Sequence, residues 1–261
     1  MEVNEEVLYT LDSITKINKG DLEFLKAKAA SNHRKRIRLC VHPDVEDGLH
    51  EMLIIHTKGN YVRPHKHTNK SESFHIIEGE LKVIIFDEKG TVLEIGIGTG
   101  LNLPFYNSNK INKIIGLEPS KQMHIKAKEV AKSNNISLEL IDLYAEDIPL
   151  EENSVDTIVI TYTLCSIHEI DNALKEFYRV LKSDGTLIFC EHGQSPDENI
   201  LNWQNRINPY WRKVAGGCNL NKNIPEILKQ NKFQIENLET MYLPSTPKIF
   251  GFNYWGSATL I

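Results

Sequence analysis

Two hydrophobic rhythms divide this chain near residue 90. Beyond it, short unbroken apolar runs alternate with stretches whose apolar residues recur every three or four positions. The runs at 91–95, 113–117, 137–143, 154–160 and 186–191 read as strands buried on both faces. Between them, 121–133 carries Met123, Ala127, Val130 and Ala131 on one face, and 169–181 carries Leu174, Phe177 and Leu181. Both read as amphipathic helices, the first capped by Ser120 and the second stopped by Ser183-Asp184-Gly185. Strands at 232–241 and 254–261 follow. Strand and helix in alternation predict an α/β fold built on a doubly wound parallel sheet.

Before residue 90 the rhythm is mostly that of strands. Residues 21–31 form the exception, an amphipathic helix with Leu22, Leu25 and Ala29 on one face and Asp21 near its start. The stretch 34–42 begins with Arg34, Lys35, Arg36 and Arg38 and then alternates, as an edge strand with solvated cations would. Residues 50–56 and 81–86 are further β-rich runs, with turn residues at 58–60 and 87–90.

Composition narrows the class. With 41% hydrophobic and 25% charged residues, the 261 residues describe an ordinary soluble protein of one large or two small domains. The net charge of -5 provides no basic footprint for nucleic acid. No apolar run reaches the ~20 residues of a transmembrane segment, and the acidic start (Glu2, Glu5, Glu6) is not a signal peptide. Cys40, Cys165, Cys190 and Cys218 contain no C-x-x-C pair, so reduced thiols in a cytoplasmic setting are expected.

Candidate chemistry concentrates at two motifs. The strand at 91–95 ends in Gly96-Ile97-Gly98-Thr99-Gly100, a turn through which a nucleotide-type ligand can approach backbone that carries no Cβ. A helix after it would aim free N–H groups at that ligand. The dinucleotide fingerprint needs a glycine where Leu101 stands, so G-x-G-x-x-G fails and G-x-G-x-G holds, with Glu94 before it. Glu118 ends the next strand, about 20 residues past the loop, where a carboxylate accepts both ribose hydroxyls. The second motif runs Gly59, His65, His67, Glu72, Gly79. His65 and His67 point to one face of a strand and Glu72 can swing beside them, a donor set suited to Zn, Fe, Mn or Ni.

The first set, Val92-Leu93-Glu94-Ile95-Gly96-Ile97-Gly98-Thr99-Gly100, Gly116-Leu117-Glu118-Pro119, Ala145-Glu146-Asp147-Ile148-Pro149 and Arg179 through Gly185-Thr186, resembles the class I S-adenosylmethionine (SAM) methyltransferases, in particular their UbiE-like branch. Glu191-His192-Gly193, Trp203-Gln204, Pro209-Tyr210-Trp211-Arg212 and Gly216-Gly217-Cys218-Asn219 are similar to the small-molecule enzymes that include thiol methyltransferases. The resemblance covers 91–261 and implies a Rossmann-like, seven-stranded methyltransferase sheet that ends in a hairpin at one edge. By similarity, Glu94, Gly96, Gly98 and Gly100 flank the methionine end of SAM, Glu118 the ribose and Asp147 the adenine amino group. Ile148 would cover the ring, and Thr161 would sit near the sulfonium.

The second motif matches cupin motif 1. With Tyr61-Val62-Arg63-Pro64 and Phe74-His75-Ile76-Ile77-Glu78-Gly79 it resembles the WbuC-type cupin-fold metalloproteins over about residues 5–90. Cupins supply a further histidine from a second motif, and this chain enters the glycine loop instead. A partial, β-rich cupin domain at 1–90 fused to a methyltransferase domain at 91–261 is the expectation, with a cupin metalloprotein tied to surface-polysaccharide metabolism, or a degenerate fusion with neither activity, as the alternatives. His65, His67 and Glu72 would have a structural or vestigial metal-binding role, with His75 an extra donor. Its strand edges would offer a route to a homo-oligomer.

Methyl transfer needs an acceptor in line with the sulfonium and, for O–H or S–H, deprotonated. His192 and His168 follow strands at the ligand-binding edge and are the candidate bases, each with packing or capping as the alternative. Cys165 and Cys218 read either as thiol or arsenical contacts or as small buried apolar side chains. The expected partner is a small-molecule methyl acceptor whose nucleophile is thiol, hydroxyl or carbon.

Overall fold

In the computed structural model, which describes residues 2–10, 15–42, 50–60, 62, 75–79, 88–244 and 246–261, contacts divide the chain into two units, Met1–Pro64 and His65–Ile261. The first holds β1 (Glu2–Asn4), β2 (Val7–Tyr9), α1 (Lys19–Ser31), β3 (Arg36–Cys40) and β4 (Met52–His56), in the sheet order β1-β2-β3-β4. Asn18 starts α1: its Oδ1 accepts from the Gly20 and Asp21 amides, and Asp21 Oδ2 accepts from its own. Leu25 and Ala29 bury against Ile37, with Leu8, Leu39, Leu53 and Ile55 around them. The basic stretch is therefore no edge: β3 pairs with β2 on one side and β4 on the other. Arg36 is half-buried there because Glu6 Oε2 accepts its Nε–H at 3.1 Å.

The second unit comprises β5 (Gly90–Ile95), β6 (Ile111–Leu117), α2 (Lys121–Ser133), β7 (Leu138–Ile141), β8 (Val155–Thr161), α3 (Ile170–Val180), β9 (Leu181–His192), α4 (Glu198–Val214), α5 (Ile224–Gln230), β10 (Phe233–Tyr242), α6 (Lys248–Gly251) and β11 (Phe252–Leu260). The sheet order is β10-β11-β9-β8-β5-β6-β7. The five strands from β9 to β7 are parallel, and β11 enters antiparallel between β9 and β10, forming the expected edge hairpin.

Side chains two apart along a strand share a face, and here that rule sorts the core. Leu93, Ile95, Ile158 and Ile160 pack with Leu174 and Phe177 of α3 and Leu228 of α5. Val92, Val159 and Ile188 pack on the other side with Ala131 of α2. Burial on both faces explains the continuous apolar runs. The order of strands reverses between β5 and β8, so their carboxyl ends open the crevice where such sheets bind ligands.

Three local expectations change. A three-residue 3-10 turn, Leu103–Phe105, follows the glycine loop in place of an α-helix; Pro104 lies within it and has no N–H for a longer ladder. Ser120 stands at the N-cap of α2 without a side-chain cap bond, and its amide instead donates to Glu118 Oε1 at 2.9 Å. Helix α3 ends at Val180, so Ser183, Asp184 and Gly185 lie inside the 12-residue β9.

Phe177 is fully buried in the main cluster. Phe177→Ala should cost about 3–5 kcal/mol, read as a lower denaturant midpoint at unchanged slope. A loss below about 1 kcal/mol would contradict this assignment of the core.

Candidate active site at the carboxyl edge of the sheet

Gly96, Gly98 and Gly100 all have positive φ (67°, 54° and 77°). Two also have no space for a side chain: a Cβ on Gly96 would fall 2.4 Å from Thr163 Oγ1, and one on Gly100 3.2 Å from the Ala127 backbone. The turn is therefore glycine by conformation and by crowding. Met123 of α2 lies over it, with Sδ 3.7 Å from where a Gly98 Cβ would stand.

Beneath the turn sits Glu94, 1% exposed. Its Oε1 accepts from Asn102 Nδ2 and its Oε2 from Tyr106 O–H, both at 2.8 Å. Burial pushes its pKa up to about 7, opposed by these two donors. Asn102 Nδ2 also lies 2.9 Å from Thr161 Oγ1, so one amide joins the tips of β5 and β8. Glu118 Oε2 accepts the Gly98 amide at 3.2 Å, bringing the ribose candidate onto the loop. Neither Asn102 nor Tyr106 carried a sequence signal beyond the need of a buried acid for donors.

Asp147 is exposed on the loop after β7. Ile148 is not: it is 2% exposed in the main core, its amide donates to Glu176 Oε2 and its carbonyl accepts from Arg179 Nη2. Its side chain is committed to the core and leaves little surface to cover a ring. Arg179 also donates to the Leu150 carbonyl and grips Glu176, so α3 holds the loop that carries Asp147.

The two candidate bases separate. His168 is 81% exposed, with Nδ1 3.1 Å from Glu169 Oε1. It lies on the rim of a cavity of ≈ 220 Å³, shared with Ser166, Arg212, Gly217, Asn219 and Lys222. His192 ends β9, and its ring stacks with Tyr162, centroids 6.2 Å apart. Its Nε2 lies 3.0 Å from Cys218 Sγ. Cys165 joins them: one donor atom from each of Cys165, His192 and Cys218 lies within 4.8 Å of the other two. Asn219 brings the cysteines together, its backbone N–H and Nδ2 both donating to the Cys165 carbonyl. Trp211 Nε1–H donates to Cys218 Sγ at 3.4 Å. Hydrogen bonding from the Cys165 thiol, then from His192 and Trp211, draws Cys218 below the usual thiol range, while the same contact and burial raise Cys165. Glu191 is fully buried beneath, its Oε1 accepting from the Thr163 and Leu164 amides at 2.6 and 2.9 Å. This cluster joins residues far apart in sequence.

His65, His67 and Glu72 lie outside the described residues, as does the strand expected at 81–86; His75 is exposed.

Among known proteins, residues 93–189 match the family model described as a methyltransferase domain, and residues 17–96 match one described as a domain of unknown function, DUF6016. Thiol S-methyltransferase TMT1B of Rattus norvegicus is 32% identical over 185 residues, 66% of this chain and 75% of the rat protein. The ubiquinone/menaquinone biosynthesis C-methyltransferase UbiE of Campylobacter jejuni is 32% identical over 106 residues, 38% of this chain and 43% of that one. A SAM-dependent methyltransferase structure from Methanosarcina mazei shares the fold at a TM-score of 0.54 and 19% identity, covering 67% of this chain and 94% of that one. The chain belongs to the class I SAM-dependent methyltransferases. Its N-terminal region matches a second family model whose description states neither fold nor ligand. No described helix is long and apolar enough to cross a membrane.

A glutamate in the unfolded chain loses its proton near pH 4.5, whereas folded Glu94 keeps it to about 7. The stability this proton contributes is complete below 4.5 and is lost as pH rises through 7. Relative to Glu94→Gln, which is neutral throughout, the ligand-free protein should lose up to about 1.4 kcal/mol per pH unit between about pH 5 and 7. Parallel stability–pH curves for the two proteins would refute the assignment.

Proposed function

We propose that the chain binds SAM across the tips of β5 and β8 and transfers its methyl group to a small thiol. One observation carries the cofactor placement: Glu94 below the glycine turn and Glu118 on its Gly98 amide bracket three glycines with positive φ, which side chains adopt rarely. On this reading Glu118 holds the ribose hydroxyls, Asp147 meets the adenine amino group, and Thr161, fixed by Asn102, lies beside the sulfonium. The methyl of a sulfonium is intrinsically electrophilic, so the residues supply alignment and exclusion of water rather than bond-breaking groups.

The thiol acceptor is supported by the relatives: the match spans 75% of the rat thiol S-methyltransferase but only 43% of the UbiE C-methyltransferase. It is also supported by the contact between His192 Nε2 and Cys218 Sγ at the carboxyl end of β9. A thiol must be ionised to attack, and His192, partly buried and stacked with Tyr162, suits this task better than the exposed His168.

For the N-terminal region we propose a partial cupin, WbuC-like segment ending near residue 90, in which His65, His67 and Glu72 are a structural or vestigial metal site. The glycine-bracketed spacing from Gly59 to Gly79 supports it.

Calorimetry tests the cofactor reading. Glu118→Ala should weaken SAM binding about tenfold or more, the equivalent of the ~1.5–3 kcal/mol of a hydrogen bond to a charged group. Methyl-labelled SAM offered with small thiols should then yield the labelled thioether. Absence of SAM binding by the unmodified chain at millimolar concentration would end this proposal.

A further inference from the structure

The Cys165–His192–Cys218 cluster is more than methyl transfer requires. Since a sulfonium needs no Lewis acid, two cysteines and a histidine at the acceptor end call for another explanation. Three features point to a bound ion. The first is the donor set: two sulfurs and one imidazole nitrogen, mutually within 4.8 Å. Around a tetrahedral zinc, bond lengths of about 2.3 Å to sulfur and 2.0 Å to nitrogen place such donors about 3.5–3.8 Å apart. Small side-chain rotations reach that spacing; the 3.0 Å between His192 Nε2 and Cys218 Sγ needs to open by only about half an ångström.

The second feature is the support behind each donor. Trp211 Nε1–H approaches Cys218 Sγ, Asn219 doubly holds the Cys165 carbonyl, and Glu191 pins the Thr163 and Leu164 amides just before Cys165. Fixing ligands from behind is what metal sites use to orient them. The third is access. Cys165 is buried, whereas His192 and Cys218 are only partly so. Ser166 and Gly217, next in sequence to the two cysteines, line the neighbouring cavity. Three protein ligands plus an open position is the arrangement of a catalytic rather than a structural zinc centre.

We propose that Cys165, His192 and Cys218 form a site for one divalent cation of the zinc class, whose open fourth position takes the sulfur of the thiol acceptor. The acceptor half rests on the thiol reading above; the cation half stands without it. A thiol that coordinates such an ion is deprotonated outright, so its proton passes to solvent, and His192 here serves as a ligand in place of the base role given it above. The sulfur lone pair then forms the new bond to the methyl carbon of SAM. The carbon–sulfonium bond breaks with its electron pair returning to sulfur. Thioether, S-adenosylhomocysteine and one proton are the products, and nothing is oxidised or reduced.

Cobalt(II) titration of the full chain tests the site, because sulfur-to-cobalt charge-transfer absorption reports thiolate ligands and is silent to a histidine–carboxylate site elsewhere. One equivalent should produce the band, and Cys165→Ser and Cys218→Ser should each reduce cobalt affinity at least tenfold. His192→Ala should weaken binding while leaving the band's sulfur character. SAM affinity, measured by calorimetry on the same variants, should fall by less than the tenfold loss of cobalt affinity, since Glu94, Glu118 and the glycine loop are unchanged. A chain that binds SAM but yields no charge-transfer band overturns the cation site and leaves the methyltransferase reading intact. So does an intact mass two hydrogens light from a Cys165–Cys218 disulfide in protein purified without oxidant. A chain that gives the band but no SAM binding sustains the cation site and removes the proposed function.

Discussion

The amide of Asn102 is where the catalytic half of this molecule is tied together. It donates to Glu94 at the end of β5 and to Thr161 at the end of β8, the two strands between which the sheet reverses its order. A buried carboxylate left without donors would cost several kcal/mol, so the geometry of the loop that delivers Asn102 is strongly specified. That loop carries the three glycines. Glu94 is thus a local liability met by the glycine turn: Asn102 and Tyr106 reach it from the chain that folds back through three glycines with positive φ.

How much of this was readable beforehand depended on how local the cause was. Parallel strands declare themselves because both faces are buried, so Val92-Leu93 and Ile158-Val159-Ile160 read as strands without any knowledge of their partners. The seven-stranded sheet with its edge hairpin followed from the resemblance of ordered motifs and matches the fold. Features set by a neighbour did not show. The basic stretch at Arg36 read as an edge because the sequence could not display Glu6 or β2 beside it. Ser120 looked like a cap because serine usually is one, but Glu118 competes for its amide. Ile148 was placed beside a ring by motif position; the sequence did not show that Glu176 and Arg179 hold its backbone while its side chain packs in the core.

The cysteines are the sharpest case. Cys165, His192 and Cys218 show no ligand spacing along the chain, since each comes from a different element: the loop after β8, the end of β9 and the loop after α4. Only the parallel order of β8 and β9, and the Asn219 bonds to the Cys165 carbonyl, superimpose them. Spacing rules find sites built on one hairpin or one helix; they cannot see one assembled by sheet topology.

The place of β11 has a consequence in time. This strand follows every other strand of its sheet in the chain, yet it is inserted between β9 and β10, and its Asn253 receives the Tyr162 hydroxyl whose ring stacks on His192. During synthesis a ribosome that has made β5 through β8 has not yet made the residue that seats Tyr162. The nascent protein can therefore form the glycine turn early, while the setting of Tyr162 against His192 waits for the last strand to arrive. The glycine turn and the His192 cluster are completed by different parts of the chain, in that order.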